Sequence, residues 1–208
     1  MIDDYFGAID ASRSRRVREL SDTKLLLGTW SGVADPFGVR SKAIVVLCYS
    51  HWEGFYNECV DNYCDFLRAS DKTVTDVAWE MMVGSLDRHF EVLRSRNHSR
   101  AARREFVTSL RTTLTAKFDA FDRKSVKSRS NLDWDKLTEN FLILGFDTSS
   151  LLRHRNRIQH ELVGWRHAVA HGNSPNLEAL DVESHIELTG NVMTIVADTF
   201  QAAMVAHI

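Results

Sequence analysis

The segment Arg153 to Gly172 concentrates the side chains of this sequence that could do chemistry, with four of the nine histidines and four arginines. A helix turns about 100° per residue, so His160, His167 and His171, seven and four positions apart, fall within roughly 40° on one face. Leu162, Trp165 and Val169 supply a competing apolar stripe on the same helix. Two chemistries could use the histidine face. Histidines four apart can share a metal ion, but Ala168 stands where the zinc pattern places its acid, and a third ligand would have to come from Glu161 or His185. The other chemistry is phosphoryl transfer on RNA without a metal. A histidine of ordinary pKa near 6.5 can take the proton of a ribose 2′-hydroxyl, and a fork-shaped, permanently charged guanidinium can hold the phosphate.

Arg166 and His171 are the pair for that second chemistry, with His167 between them. Five positions is about 140° around an ideal helix, so the two diverge unless the helix ends there. Gly172 marks such an end, and a symmetric dimer would face two copies across one groove. Arg155 and His160 repeat the spacing, with Asn156 between them. Roughly one such pair is expected by chance at this composition, so the spacing alone is weak. The helix-terminal pair is favoured because backbone groups and space are available to a ligand there.

Trp165-Arg166-His167-Ala168-Val169-Ala170-His171-Gly172 resembles the signature of the HEPN superfamily: an arginine, a polar residue, three further positions and a histidine, at the end of a helix. Val46 to Asn57 is similar to the long helix of bacterial HEPN-like nucleases of this size, and the resemblance extends over about 39–205. It implies an all-α bundle of the HEPN type and a metal-independent endoribonuclease without cofactor, acting as a homodimer. Its RNA product ends would be a 2′,3′-cyclic phosphate and a 5′-hydroxyl. It places Arg166 and His171 in the catalytic motif, puts His167 at the polar position, and brings Glu53 toward the site from the earlier helix. The settings it implies are toxin–antitoxin and antiphage defence, with an antitoxin or defence protein as possible partner. An alternative from another class is a non-catalytic helical module that binds nucleotides or protein partners.

The elements that must position this site read as helices. Prolines occur only at Pro36 and Pro175, in Ala34–Gly38 and Gly172–Asn176, which leaves long stretches free to be helical. The spacing predicts an opening helix over 3–28, with Tyr5, Phe6, Ile9, Val17 and Leu20 apolar and Arg13, Arg15, Arg16 and Arg18 solvated. A second over 39–69 carries Ala43, Val46, Leu47, Ser50 and Gly54 at three- and four-residue steps. A third is expected over 73–94, then an arginine-rich loop from Arg94 to Arg104 leading into a fourth that reaches Phe121. Residues 123–131 read as an exposed connection. Helices over 133–144, stopped by Gly145, over 151–171, stopped by Gly172, and from Leu180 to the carboxyl end complete a single all-α domain, 1–208.

Composition narrows the rest. The chain has 208 residues, 44% apolar and 26% charged, with net charge −2, enough to fill a core and too balanced for wholesale polyanion binding. The longest apolar run, Ala43–Tyr49, is too short to span a membrane, and the acidic start Met1-Ile2-Asp3-Asp4 does not read as a signal peptide. A cytoplasmic chain is the expectation. Cys48, Cys59 and Cys64 form no metal spacing and read as reduced core residues. RNA contacts fall to the arginines beside the motif, Arg153, Arg155 and Arg157, and to Trp165, which could stack a base or sit in the core. The runs Arg13–Arg18, Arg94–Arg104 and Arg123–Arg129 are further candidate phosphate tracks.

Overall fold

A computed structural model describes residues 2–28, 37–118, 121–129 and 131–207. Pro36, which separates the first two expected helices, lies outside these. Among the described residues there is no strand, only an isolated bridge between Thr73 and Lys117. Eight α-helices follow in order: α1 Ile2–Gly28, α2 Val39–Ala69, α3 Met82–Ser95, α4 Arg100–Leu114, α5 Trp134–Leu144, α6 Arg155–Arg157, α7 Trp165–Ala170 and α8 Val182–Val205. The chain is all-α, and no described helix is long and apolar enough to cross a membrane.

The centre is α2, which packs against both α1 and α8. Cys48, Trp52, Phe55, Tyr56, Cys59, Val60, Tyr63 and Leu67 are all buried, so α2 is apolar around much of its circumference, as a central helix must be. The stripe read from the sequence is not this one. Leu47 and Ser50 are exposed, and Ala43 and Val46 are half-buried, because the bulkier aromatic face has more surface to remove from water. Tyr63, Phe141, Phe146 and Phe200 pack edge to face, with ring centroids between 5.0 and 6.4 Å. All three cysteines are free and buried, and burial pushes the Cys48 thiol up to about 11 and Cys64 to about 12.

Two charge-rich stretches depart from the sequence reading. In α1 the buried positions are Ile9, Ser12, Arg16 and Leu20, a helical stripe in which an arginine takes a core place. Arg16 donates to Glu58 at 2.6 Å, and Gly54 leaves it room, since a Cβ there would meet its guanidinium at 3.0 Å. Val17, expected on the apolar side, is exposed. The described part of 123–131, residues 123–129 and 131, is not simply an exposed connection either. Tyr56 donates to the Val126 carbonyl, Asn57 exchanges two hydrogen bonds with Ser128, and Arg123 and Lys127 are paired with Asp61 and Asp65. Polar residues of α2 thus hold this segment against the core, with Ser125, Val126 and Ser128 buried.

The third expected helix is broken. Thr73 and Asp76 form a reciprocal cap on a 3-10 turn, Val74–Asp76, and Ala78 is extended at φ −140° and ψ 132°. This break buries Val74 and Met81 and brings Ala78 against Gly145, whose φ of +73° and tight contact both exclude a side chain. The fourth helix ends at Leu114 rather than Phe121. The chain then leaves the helix so that Phe118 and Phe121 stack in the core at 5.0 Å.

Candidate functional site

The segment 149–171 is helical but not one uniform helix. A 3-10 stretch, Ser149–His154, passes through α6 into a π-helix, Ile158–Gly164, and then into α7. A Cβ at Gly164, in the widened turn, would lie 3.3 Å from the Gln159 carbonyl, a tight contact. π-segments are rare and shift the face presented by all later residues. His160, inside the π-helix, is exposed, and the recorded ring contact of the histidine face joins only His167 and His171, centroids 4.3 Å apart.

After this shift Arg166 turns toward α2. Its guanidinium carbon lies 3.6 Å from the centre of the Tyr49 ring, and Nη2 donates to Asn131 Oδ1 at 3.1 Å. Tyr49 is buried and completes the frame. Its hydroxyl donates to the same Asn131 Oδ1 at 3.0 Å and accepts the Leu132 N–H at 2.7 Å. Burial first, and Glu53 nearby, push the Tyr49 phenol up to about 12, against the lowering effects of the Leu132 N–H and Arg166. The phenol is therefore a neutral hydrogen-bonding post at physiological pH. Stacking a cation on a half-desolvated aromatic ring is worth about 1–2 kcal/mol, enough to favour this one rotamer. Arg166 Nε and Glu53 Oε1 are both buried without a hydrogen-bond partner, so polar capacity at the site remains unused. A cleft of about 490 Å³ opens beside Asn131, lined also by Arg129, Asp133, Lys136 and Glu139.

His171 stands at the other end of α7. Gly172 has φ +75°, its N–H bonds the Val169 carbonyl, and the Asn173 N–H bonds the Ala168 carbonyl, the paired pattern of a left-handed helix cap. His171 itself has φ −90° and ψ 11°, in the sparsely populated bridge region where many active-site residues sit. Both His167 and His171 are exposed. Among the described residues no hydrogen bond or ring contact joins Arg166 to either histidine. The arginine faces the core side of the helix, and the histidines face solvent.

The remaining expected residues are placed as follows. Arg157 is bound at 2.7 and 2.8 Å to Glu161 and at 3.0 Å to the Ser184 hydroxyl, so its guanidinium is already committed. Arg155 is exposed and lies 5.8 Å from the centre of the Trp134 ring, while Arg153 donates to its neighbour His154. Trp165 packs on Val45, Leu177 and Leu180 and lies tilted against His185, ring centroids 5.6 Å apart, which makes it part of the helix anchor. The third ligand that a metal site would need is not beside the histidine pair: Glu161 holds Arg157, and His185 is buried under Trp165. Among the described residues no group of three histidine, cysteine or acidic side chains is close enough to hold a metal ion. Sequence reasoning missed Tyr49 and Asn131, whose signal exists only in three dimensions.

The chain is an all-α protein with Arg166 and His171 at the two ends of α7. The chain matches the family model described as MAE_28990-like HEPN over residues 8–205, and it belongs to that HEPN family. No curated protein and no solved structure matches it.

Proposed function

We propose that the chain is a metal-independent HEPN endoribonuclease, a single unit over 1–208 that works as a homodimer in the cytoplasm. The observation that carries the reading is the pair of special environments at the two ends of α7. Arg166 is fixed on Tyr49 and Asn131, and His171 is presented to solvent at a glycine-capped helix end. His171 takes the proton from a ribose 2′-hydroxyl, and the 2′-oxygen attacks the adjacent phosphorus. The bond to the 5′-oxygen breaks, and that oxygen leaves with a proton as the 5′-hydroxyl. Arg166 holds the phosphate and stabilises its developing charge, and His167, in ring contact with His171, orients it or passes the proton on. Since Arg166 and His171 of one chain do not touch, a second copy facing the first supplies the shared groove. Arg153 and Arg155 extend the phosphate contacts, and Glu53 and Trp165 shape the site from behind. The family supports a setting in defence or toxin–antitoxin pairs, with an antitoxin or activating protein as partner.

One observation favours a second reading. Arg166 is already engaged by Tyr49 and Asn131, as a structural arginine in a non-catalytic nucleotide- or partner-binding module would be. The two readings separate on the variants Arg166→Ala and His171→Ala. The nuclease reading expects both to keep the helical spectrum and oligomeric state while RNA cleavage falls by 100-fold or more, of the order general acid–base groups supply. A wild-type chain that binds RNA without cutting it would support the module.

A further inference from the structure

We infer that the α3–α4 hairpin is an arm that grips the phosphate backbone of single-stranded RNA, an assignment that rests on the proposed ribonuclease reading. Met82 to Leu114 contains seven arginines and no lysine against Asp87, Glu91 and Glu105, a net charge of +4 in a chain of net −2. The remainder of the chain is therefore at −6, so the hairpin carries a positive excess that the rest of the chain, taken as a whole, lacks.

Pairing depletes the other two arginine-rich runs, in which Arg18 and Arg129 are the exposed arginines left without an ion pair among the described residues. In the first, Arg13, Arg15 and Arg16 are tied to Asp10 and Glu58, and in the third, Arg123 and Lys127 are tied to Asp61 and Asp65. In the hairpin only Arg94 and Arg96 are bound, to Glu91 and Glu105. Among the described residues Arg88, Arg100, Arg103, Arg104 and Arg111 have no recorded partner, and all five are exposed.

On α4 the helical step places Arg100, Arg104 and Arg111 within about 40° of one line, running roughly 16 Å along the axis. Ala102, Phe106 and Thr113 lie on the opposite side and turn toward the protein, with Ala102 and Thr113 buried. The three arginines thus form a solvent-facing row. Val107 is the one large apolar side chain in that row, so it lacks the aromatic or aliphatic anchors on which a protein partner would depend. Guanidinium forks in a row whose one large apolar side chain is a single valine match a repeating phosphate chain.

The test uses the full chain carrying His171→Ala, so that bound RNA stays intact, and a fluorescently labelled 20-nucleotide single-stranded RNA. Anisotropy gives Kd between 50 and 200 mM KCl for this protein, for Arg100→Gln/Arg104→Gln/Arg111→Gln, and for the corresponding triple lysine variant. Each phosphate contact contributes about −0.7 to the log–log salt slope for single strands. The glutamine triple should therefore bind with a slope shallower by about 2, so that the parent loses roughly 20-fold more affinity across that salt range. The lysine triple should keep the parent slope, which shows that charge and not a folding defect is responsible. An unchanged slope in the glutamine triple, with RNA still bound, overturns the arm and leaves the ribonuclease reading standing. So does an unchanged slope accompanied by a change in oligomeric state by sedimentation, which would assign the row to protein contact. Failure of the parent chain to bind RNA at all would overturn both.

Discussion

Acid should loosen the structure beneath the motif through His185. This side chain is 1% exposed, sits under Trp165, and has no hydrogen-bond partner at either ring nitrogen. Burial lowers its pKa to about 4. Glu161, whose carboxylate lies 3.8 Å away, raises it only in part, and Arg157 lowers it further. The unfolded chain, with an imidazole near 6.5, takes a proton before the folded chain does. Stability is therefore full above pH about 6.5 and is lost as pH falls toward 4. The gap between 6.5 and about 4 corresponds to roughly 3 kcal/mol in all, of which about 2 kcal/mol is lost by pH 5. Other groups titrate in this range, so the measurement is a difference. Urea unfolding at pH 7.5 and pH 5.0 is compared between wild type and His185→Leu, which keeps the volume and removes the titrating ring. The wild type should lose about 2 kcal/mol more than the variant on acidification. Equal losses in both proteins would mean that His185 takes up its proton as readily in the folded chain as in the unfolded one, contrary to its burial without a hydrogen-bond partner.

Further outcomes follow from Tyr49 and from the glycines. Tyr49→Phe keeps the ring under Arg166 but leaves the Leu132 N–H without its acceptor, so urea unfolding should show a loss of about 1–3 kcal/mol. Tyr49→Leu should reduce RNA cleavage further than Tyr49→Phe, because the guanidinium loses its platform. A Cβ at Gly84 would lie 2.4 Å from the Phe121 ring, so Gly84→Ala should cost about 1–3 kcal/mol, whereas Gly7→Ala, with nothing within 4 Å, should gain about 0.4–1 kcal/mol. Gly172→Ala meets no steric obstacle but must hold φ +75°, so it should cost about 1–2 kcal/mol and reduce cleavage by displacing His171.

Sequence periodicity located most helices, because amphipathic spacing and caps are local. The ranges 39–69 and 133–144, and the stops at Gly145 and Gly172, correspond closely to α2, α5 and the left-handed caps. What escaped depends on partners distant in sequence. Arg16 reads as a surface cation until Glu58 and the gap at Gly54 are placed beside it. Residues 123–131 read as a loop until Tyr56, Asn57 and Asp61 of α2 face them. The π-segment is invisible to a period of 3.6. The candidate site divides the same way. Arg166, His167 and His171 are legible as an octapeptide, whereas Tyr49 and Asn131, which decide where the arginine points, lie 117 and 35 positions upstream and carry no motif.

The central claim, that Arg166 and His171 make this chain a ribonuclease, is tested most directly by incubating purified protein with total RNA in excess chelator, beside His171→Ala, and analysing the ends of the products. The wild type alone should cleave, leaving 2′,3′-cyclic phosphates and 5′-hydroxyls. Equal cleavage by both proteins would contradict that claim and turn attention to His160, and no cleavage by the wild type would assign the fold to binding instead.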